Sequence, residues 1–266
     1  MQKTRRGQVI SLPVPDKESS RQVFRKHYVR QAQQRGGCES WATGYQIGRS
    51  SHGGSTTPAD FIGCCSPLSS DAIVKPREIN SDQIDYDLIR AWIRSCEKNH
   101  ASLCSPSTNE AIGLKLKVID CLQRRITELS EESPYVALSY VWGAAASTEV
   151  VRSDSTLLPA NLPRVIEDSC LLVRNLGYRC LWADRYCVEQ DNEEAKHLLI
   201  NSMDLVYGNA KITIIAAAGD GPEHGLPGVG SQHRERQQCL TVGNRRFIRT
   251  FPDVAEVLRD STWSTR

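Results

Sequence analysis

Polar and aromatic residues that could do chemistry follow two apolar runs of the sequence. Residues 135–141 form one run, which is followed by Trp142 and Gly143, and residues 180–183 form another, which is followed by Asp184. A carboxylate at the end of an apolar strand can bind a ribose hydroxyl, hold a cation or cap the next turn. An indole can stack on a flat ring or pack in the core, and a glycine permits a tight turn or a close approach to a ligand. These residue types predict either a nucleotide cleft or ordinary strand ends.

A cysteine in the same region offers a second kind of chemistry. Cys187 could act as a nucleophile with His197 or His224, but nothing in the sequence places either histidine within hydrogen-bond reach. Free cysteines are more commonly small core residues, and we favour that interpretation.

Three further residues have a spacing that would suit a metal. Cys96, His100 and Cys104 recur every four residues and would supply three zinc ligands if one helix carried all of them. No fourth ligand is evident, and a mixed face of thiols and imidazole packing on a sheet explains the same spacing. We therefore treat these residues as weak candidates and expect no metal.

Other motifs that would define a function class are absent from the sequence. No GxxxxGK[ST] segment occurs, and Gly219-Asp220-Gly221 followed by Gly225 does not match GxGxxG. A P-loop ATPase and a Rossmann dehydrogenase are therefore not expected. The ten cysteines include no CxxC pair, so a zinc ribbon or finger is not expected either.

Apolar runs are too short for a membrane protein or a signal peptide. The longest nearly apolar run covers residues 212–218, and the run near the N-terminus covers only residues 9–12. We expect a cytoplasmic protein with reduced thiols and no membrane span.

Charge is distributed unevenly along the 266 residues. The net charge is +2, but residues 1–35 carry nine Lys and Arg against Asp16 and Glu18. A basic arm can attract nucleic acid or a membrane surface, and its composition also resembles a mitochondrial presequence. We interpret residues 1–82 as a disordered basic region of low complexity with a flexible linker at 48–58, and expect no nucleic-acid partner.

Hydrophobic periodicity predicts the strands that position the candidates. Apolar positions between 89 and 96 predict a helix, and alternation over 114–119 predicts a strand with lysines on its wet side. The continuous apolar runs 135–141 and 180–184 predict buried strands, and residues 211–217 predict a third strand parallel to them. With helices between them, they predict a three-layer α/β domain from about residue 85 to 266, with a mostly parallel sheet and right-handed crossovers.

The helices between these strands have clear start and stop signals. Pro163 suits the first residue of a helix that ends at Gly177. Asp191 and Glu194 predict a capping box for a helix that runs to about Val206. A hairpin around 243–244 and a short helix over 252–258 complete the prediction.

The carboxyl ends of parallel strands meet at one edge of a sheet, where ligands gather in open α/β folds. This placement makes the residues after the first two strands candidates for a nucleotide cleft, together with the glycine-rich loop after the third. The cleft candidates are Ser139, Tyr140, Trp142, Gly143, Asp184, Cys187, Gln190 and Asp191, and the loop candidates are Gly225, Pro227 and Gly228.

Seven blocks between residues 135 and 230 resemble the heterokaryon incompatibility (HET) domain of filamentous fungi, in that family's order and spacing. The blocks are Tyr135-Val-Ala-Leu-Ser-Tyr-Val-Trp-Gly143, Leu162-Pro-Arg-Val-Ile-Glu-Asp168, Leu176-Gly-Tyr-Arg-Cys-Leu-Trp-Ala-Asp184, Cys187-Val-Glu-Gln190-Asp191, Met203-Asp-Leu-Val-Tyr207, Ala210-Lys-Ile-Thr-Ile-Ile-Ala-Ala-Ala-Gly219 and Gly225-Leu-Pro-Gly-Val229. The resemblance implies an effector or regulator of non-self recognition and programmed cell death, whose partner is another protein or a second copy.

HET domains also resemble TIR domains, whose flavodoxin-like architecture has a parallel sheet. That likeness implies NAD as a substrate, with Trp142 and Asp184 lining the nucleotide cleft.

In the HET family, a stretch like residues 261–266 continues into a block with a glutamate that would be the TIR-like catalytic candidate, and this block is absent here. We therefore expect residues 135–266 to be a C-terminally incomplete HET domain, preceded by a lead-in at 85–134 that packs on it. The alternatives to an incompatibility effector are a NAD glycohydrolase and a catalytically inert fragment that acts by association.

Overall fold

The structure is a computed structural model that describes residues 62–64, 77–100, 115–143, 156–189, 191–242, 245–249 and 254–265. Predictions for the basic arm, the linker, Cys104, Gln190 and the turn at 243–244 fall outside these described residues.

Eight strands, six α-helices and two 3-10 helices occur in these ranges. The strands are β1 Ile62–Cys64, β2 Lys117–Asp120, β3 Arg125–Glu128, β4 Tyr135–Ser139, β5 Cys180–Ala183, β6 Ile212–Ile215, β7 Cys239–Val242 and β8 Arg245–Arg249. The α-helices are α1 Tyr86–Asn99, α2 Arg164–Asn175, α3 Asp184–Cys187, α4 Glu193–Asn201, α5 Met203–Asn209 and α6 Val254–Asp260. The 3-10 helices are η1 Pro222–His224 and η2 Thr262–Thr265. None of the described helices has the length and hydropathy that a membrane crossing requires.

The larger sheet has the strand order β3-β2-β5-β4-β6 and is mixed rather than mostly parallel. β4 pairs in parallel with β5 and β6, so that Leu138 lies between Ala183 and Ile214. β2 pairs antiparallel with both β5 and β3. The α/β class and the parallel pairing of the three predicted strands are therefore confirmed. The prediction of a mostly parallel sheet needs correction, because the β2-β3 hairpin supplies two of the five strands and is paired antiparallel.

An aspartate at the end of β2 turns the chain into this hairpin. The Asp120 carboxylate accepts N–H bonds from Leu122 at 2.9 Å and Gln123 at 3.0 Å, and it pairs with the Arg179 guanidinium at 2.7 Å. Burial raises the pKa of Asp120, but these donors outweigh it and the pKa lies below the ordinary 3.8. β3 has little hydrophobic periodicity, because Ile126 is its one buried residue.

The parallel strands form the centre of the core. All five residues of β4 are buried, as are all four of β5. Trp182 on β5 meets Tyr207 of α5 edge to face, with ring centroids 5.3 Å apart. The Tyr135 hydroxyl donates to the Val206 carbonyl at 2.5 Å, which satisfies one buried polar group. The prediction that these runs are covered on both faces is confirmed by this burial.

Helix α2 begins one residue after the predicted start and ends where the sequence predicts. Pro163 is its N-cap residue, and Ile166 and Val173 are buried. Gly177 has φ of 89°, and its N–H donates to the Arg174 carbonyl at 3.0 Å. Together with the bond from Tyr178 N–H to the Val173 carbonyl at 2.9 Å, this geometry is a Schellman motif.

The next predicted helix begins one residue later than expected and is split in two. Asn192, rather than Asp191, is the N-cap, and its side chain accepts the Ala195 N–H at 3.0 Å. The break falls at Ser202, whose hydroxyl donates to the Leu198 carbonyl at 3.0 Å. Such back-bonding from serine competes with regular helical geometry.

Helix α1 confirms the predicted helix, but none of its residues is buried. Trp92 on this helix is 56% exposed. Polar contacts join the region to the rest of the chain: Arg90 donates to the Asn175 carbonyl, and Glu97 pairs with Lys211. The packing of α1 therefore depends on its polar contacts more than on burial.

A smaller antiparallel sheet has the order β1-β8-β7. β7 and β8 pair antiparallel with Val242 opposite Arg245, which is the strand pairing expected of a hairpin around 243–244. Helix α6 overlaps the short helix predicted over 252–258, and η2 follows it.

Candidate functional site

Three stretches of the chain meet at the carboxyl ends of β4, β5 and β6, which we call the carboxyl edge. Ser139 and Tyr140 are buried there at the end of β4. Asp184 begins α3 directly after β5, and Ala216 follows β6. The parallel register of β4 with its two neighbours causes this convergence. The geometric basis of the sequence prediction is therefore present.

Trp142 and Asp184 form a direct pair at the carboxyl edge. The indole N–H of Trp142 donates to Asp184 Oδ1 at 3.0 Å. The same oxygen accepts the backbone N–H of Arg185 at 2.8 Å, one of the N–H groups in the first turn of α3 that have no partner within the helix. Trp142 remains 38% exposed. The pair holds the indole in one orientation while part of its surface faces solvent.

Gly143 connects this pair to the glycine-rich loop. Its φ is 78°, and a Cβ there would lie 2.9 Å from Cδ of Pro222. A larger residue would meet both backbone strain and the proline ring of η1. The positive φ explains why a glycine lies here, while the choice between a tight turn and a close approach to a ligand stays a prediction.

The segment η2 lies across the ends of β4 and β6. The indole N–H of Trp263 donates to Ser139 Oγ at 2.9 Å, and the Thr262 hydroxyl donates to the Gly219 carbonyl at 2.7 Å. The cavity left beside Tyr140, Gly219 and Thr262 has a volume of about 10 Å³. That volume holds about one water molecule.

Asp168 on α2 holds the glycine-rich loop against the helix. Its Oδ2 accepts the Leu226 N–H at 2.7 Å. A Cβ at Gly225 would lie 2.4 Å from that oxygen, and one at Gly230 would lie 2.0 Å from Oδ1. These two glycines let the loop backbone approach the carboxylate. This pairing gives Asp168 a positioning role that the sequence prediction did not assign.

Gly228 and Pro227 lie on the part of the loop next to the segment that precedes α1. The Gly228 carbonyl accepts the Ile84 N–H at 2.8 Å, and its own N–H donates to the Gln232 carbonyl at 2.6 Å. Pro227 is half-buried beside it. These candidates are therefore engaged by the chain itself.

Cys187 points into the core. Its Sγ accepts the Ala183 N–H at 3.3 Å, and burial raises the pKa of the thiol to about 12. His197 lies exposed on α4 beside Glu193, and His224 lies in η1. Burial and the raised pKa of the thiol favour a role for Cys187 in core packing over a role as a nucleophile.

The remaining candidates lie apart from the carboxyl edge. Asp191 is exposed just before α4, and Cys96 is exposed on α1. His100 is the C-cap of α1, so the helix ends before the spacing could place a third ligand on the same face. Within the described ranges, no group of three His, Cys, Asp or Glu is arranged to hold a metal ion.

Sequence reasoning missed two residues that shape the edge. Trp263 reaches Ser139 across 124 positions, a contact that no local pattern reveals. Asp168 lies within one of the family blocks, and the five glycines of residues 219–230 indicate a close approach of the backbone without identifying its partner.

Comparison with known proteins identifies the class of this fold. Residues 135–266 match the sequence model of the family described as heterokaryon incompatibility protein (HET). These residues make up about half of the chain, and through them the chain belongs to the HET family.

One curated relative is heterokaryon incompatibility protein 6, OR allele, of Neurospora crassa. It is 31% identical over 100 residues, which cover 33% of this chain and 15% of the relative. The chain thus spans a small part of that protein's length. No solved structure matches.

Proposed function

We propose that this protein takes part in heterokaryon incompatibility as an effector or regulator of non-self recognition and cell death. The observation that carries the proposal is the match of residues 135–266 to the HET family. The name of the Neurospora relative agrees with it. The protein would act in the cytoplasm of a filamentous fungus, where fused hyphae mix their contents.

The carboxyl edge would act as a surface that binds another protein. Trp142 is 38% exposed, and its indole is oriented by Asp184. Partly exposed, rigidly held tryptophans are common anchors of protein interfaces. Small-molecule sites usually enclose about 300–1,000 Å³. The cavity of about 10 Å³ at this edge is far smaller, which favours association over nucleotide binding.

We further propose that the parallel strands are related to the flavodoxin-like architecture that TIR domains share. In chain order these strands are β4, β5 and β6, and their spatial order is β5-β4-β6. This arrangement corresponds to the first three positions of the flavodoxin-like order 2-1-3. The crevice between the first and third strands would then be the place that η2 covers.

Expression of the full chain in a filamentous fungus tests the function. We expect loss of viability in the host while its cellular NAD stays constant, because association consumes no nucleotide. Viability equal to that of an empty vector, with folded protein present, would contradict the role in cell death. Death preceded by NAD depletion would instead support the glycohydrolase and contradict association as the mechanism.

A further inference from the structure

Helices α4 and α5 present an acidic and apolar side to solvent. Leu198 is 54% exposed, and exposed residues continue at helical spacing past the break at Ser202, whereas Val206 is buried. The same spacing places the exposed Glu194 and Asp204 on this side. We call it the acidic surface, and its exposed members are Glu193, Glu194, Leu198, Ile200, Asp204 and Leu205.

The smaller sheet presents a basic and apolar face. Leu240 on β7 is 64% exposed and lies directly opposite Phe247 on β8. Opposite residues of an antiparallel pair share a face, and so do residues two apart on one strand, so the exposed Arg249 shares the face of Phe247. Ile248, on the other face, is buried. We call the face of Leu240, Phe247 and Arg249 the basic surface.

The segments that carry these two surfaces have opposite charges. Residues 191–205 hold four acidic residues against one lysine. Residues 234–249 hold five arginines against one glutamate. Complementary potentials steer two surfaces together, and like charges placed face to face disfavour contact. Each surface therefore selects a partner with the charge of the other.

The two surfaces do not cover each other within one chain. Leu198 and Leu240 each keep more than half of their area exposed to solvent. Exposed aliphatic side chains surrounded by charged residues are typical of protein–protein contacts. A partner for the basic surface must be acidic and carry apolar side chains, and every other copy of this chain has such a surface on α4 and α5.

We propose that the acidic surface of one copy binds the basic surface of a second copy. A different surface of each copy then takes part in the contact, which makes it heterologous. A charge reversed on one surface is therefore offset by a charge reversed on the other. The inference goes beyond the proposed function, because neither surface includes the Trp142–Asp184 pair and the test uses purified protein rather than a fungal host.

Charge reversal on each surface tests the pairing. Sedimentation velocity of the full chain, at low salt and over a series of concentrations, measures self-association. Glu194→Lys and Arg249→Glu should each raise the dissociation constant about tenfold or more. A mixture of these two variants should associate more tightly than either variant alone, because each reversed surface then meets the other. This recovery also shows that both variants are folded.

Two further variants separate the surfaces from general effects of charge. Glu128→Lys makes the same charge change on an exposed residue of β3, which belongs to neither surface, and should associate like wild type. Leu240→Thr keeps the net charge, removes an exposed apolar side chain and should weaken association.

Four results would overturn the proposal. Wild type could sediment as a monomer at every concentration up to about 0.1 mM. The mixture could associate no better than the separate variants, or Glu128→Lys could weaken association as much as Glu194→Lys. Finally, the wild type could bind a short single-stranded oligonucleotide without self-association, with Arg249→Glu lowering that binding; the basic surface would then be a nucleic-acid site.

Discussion

Three glycine-to-alanine substitutions separate backbone strain from the close approach of Asp168 to the loop. Gly225 has φ of 76°, and an added Cβ would lie 2.4 Å from the Asp168 oxygen that accepts the Leu226 N–H. Left-handed backbone costs a non-glycine residue roughly 1–2 kcal/mol. Losing a hydrogen bond to a charged group costs about 1.5–3 kcal/mol. Gly225→Ala should therefore destabilise the fold by about 3–5 kcal/mol.

Two other glycines serve as matched controls. Gly177 has φ of 89° but open space where a Cβ would lie, so Gly177→Ala should cost only the strain, roughly 1–2 kcal/mol. Gly208 lies in α5, also with open space, and Gly208→Ala should stabilise the fold by up to about 1 kcal/mol. Urea denaturation of the three variants and wild type measures the differences. Equal losses for Gly225→Ala and Gly177→Ala would refute the reasoning about Asp168.

Three further predictions concern the hairpin and the carboxyl edge. The folded pKa of Asp120 lies below its ordinary value of 3.8, so its contribution to stability is present above that value and is lost as pH falls through the folded pKa. Urea denaturation at a series of pH values should show a smaller loss of stability in acid for Asp120→Asn than for wild type, and an equal loss would contradict this. Arg124 has φ of 52° and pairs with the exposed carboxylate of Glu167. Arg124→Gly relieves the backbone strain but loses a weak ion pair. Urea denaturation should therefore give a free energy of unfolding within about 1 kcal/mol of wild type. A loss above about 3 kcal/mol would show that the ion pair dominates. Trp263→Phe removes the N–H that donates to buried Ser139 and should lower the free energy of unfolding by about 1–3 kcal/mol. The same substitution in a Ser139→Ala background should lower it by less, because the bond is already lost. Additive losses would show that the bond does not contribute to stability.

Local sequence signals predicted the elements whose ends depend on neighbouring residues. Pro163 and Gly177 bound α2 correctly, because helix caps are set by a few adjacent positions. The apolar runs at β4 and β5 predicted fully buried strands, and the run at β6 predicted a strand of which only Ile214 is buried. The pairing of Trp142 with Asp184 follows from the parallel register of these strands, so the sequence could indicate it.

Features that depend on distant contacts could not be predicted. β3 has a single buried position, Ile126, and its strand forms only because β2 supplies hydrogen bonds across the turn. The break at Ser202 is a competition between two bonding patterns of similar energy. Trp263 and Asp168 reach the carboxyl edge and the loop from remote positions, where composition alone carries no information about the partner.

The central claim is that the carboxyl edge is the recognition surface of this HET protein. A pair of tryptophan substitutions tests this claim most directly. Trp142 at the edge and Trp92 on α1 are both exposed, so Trp142→Ala and Trp92→Ala remove the same side chain from different surfaces. In the fungal host, with folded protein at equal levels, we predict that Trp92→Ala still kills and that Trp142→Ala restores growth. Equal killing by the two variants would contradict the account.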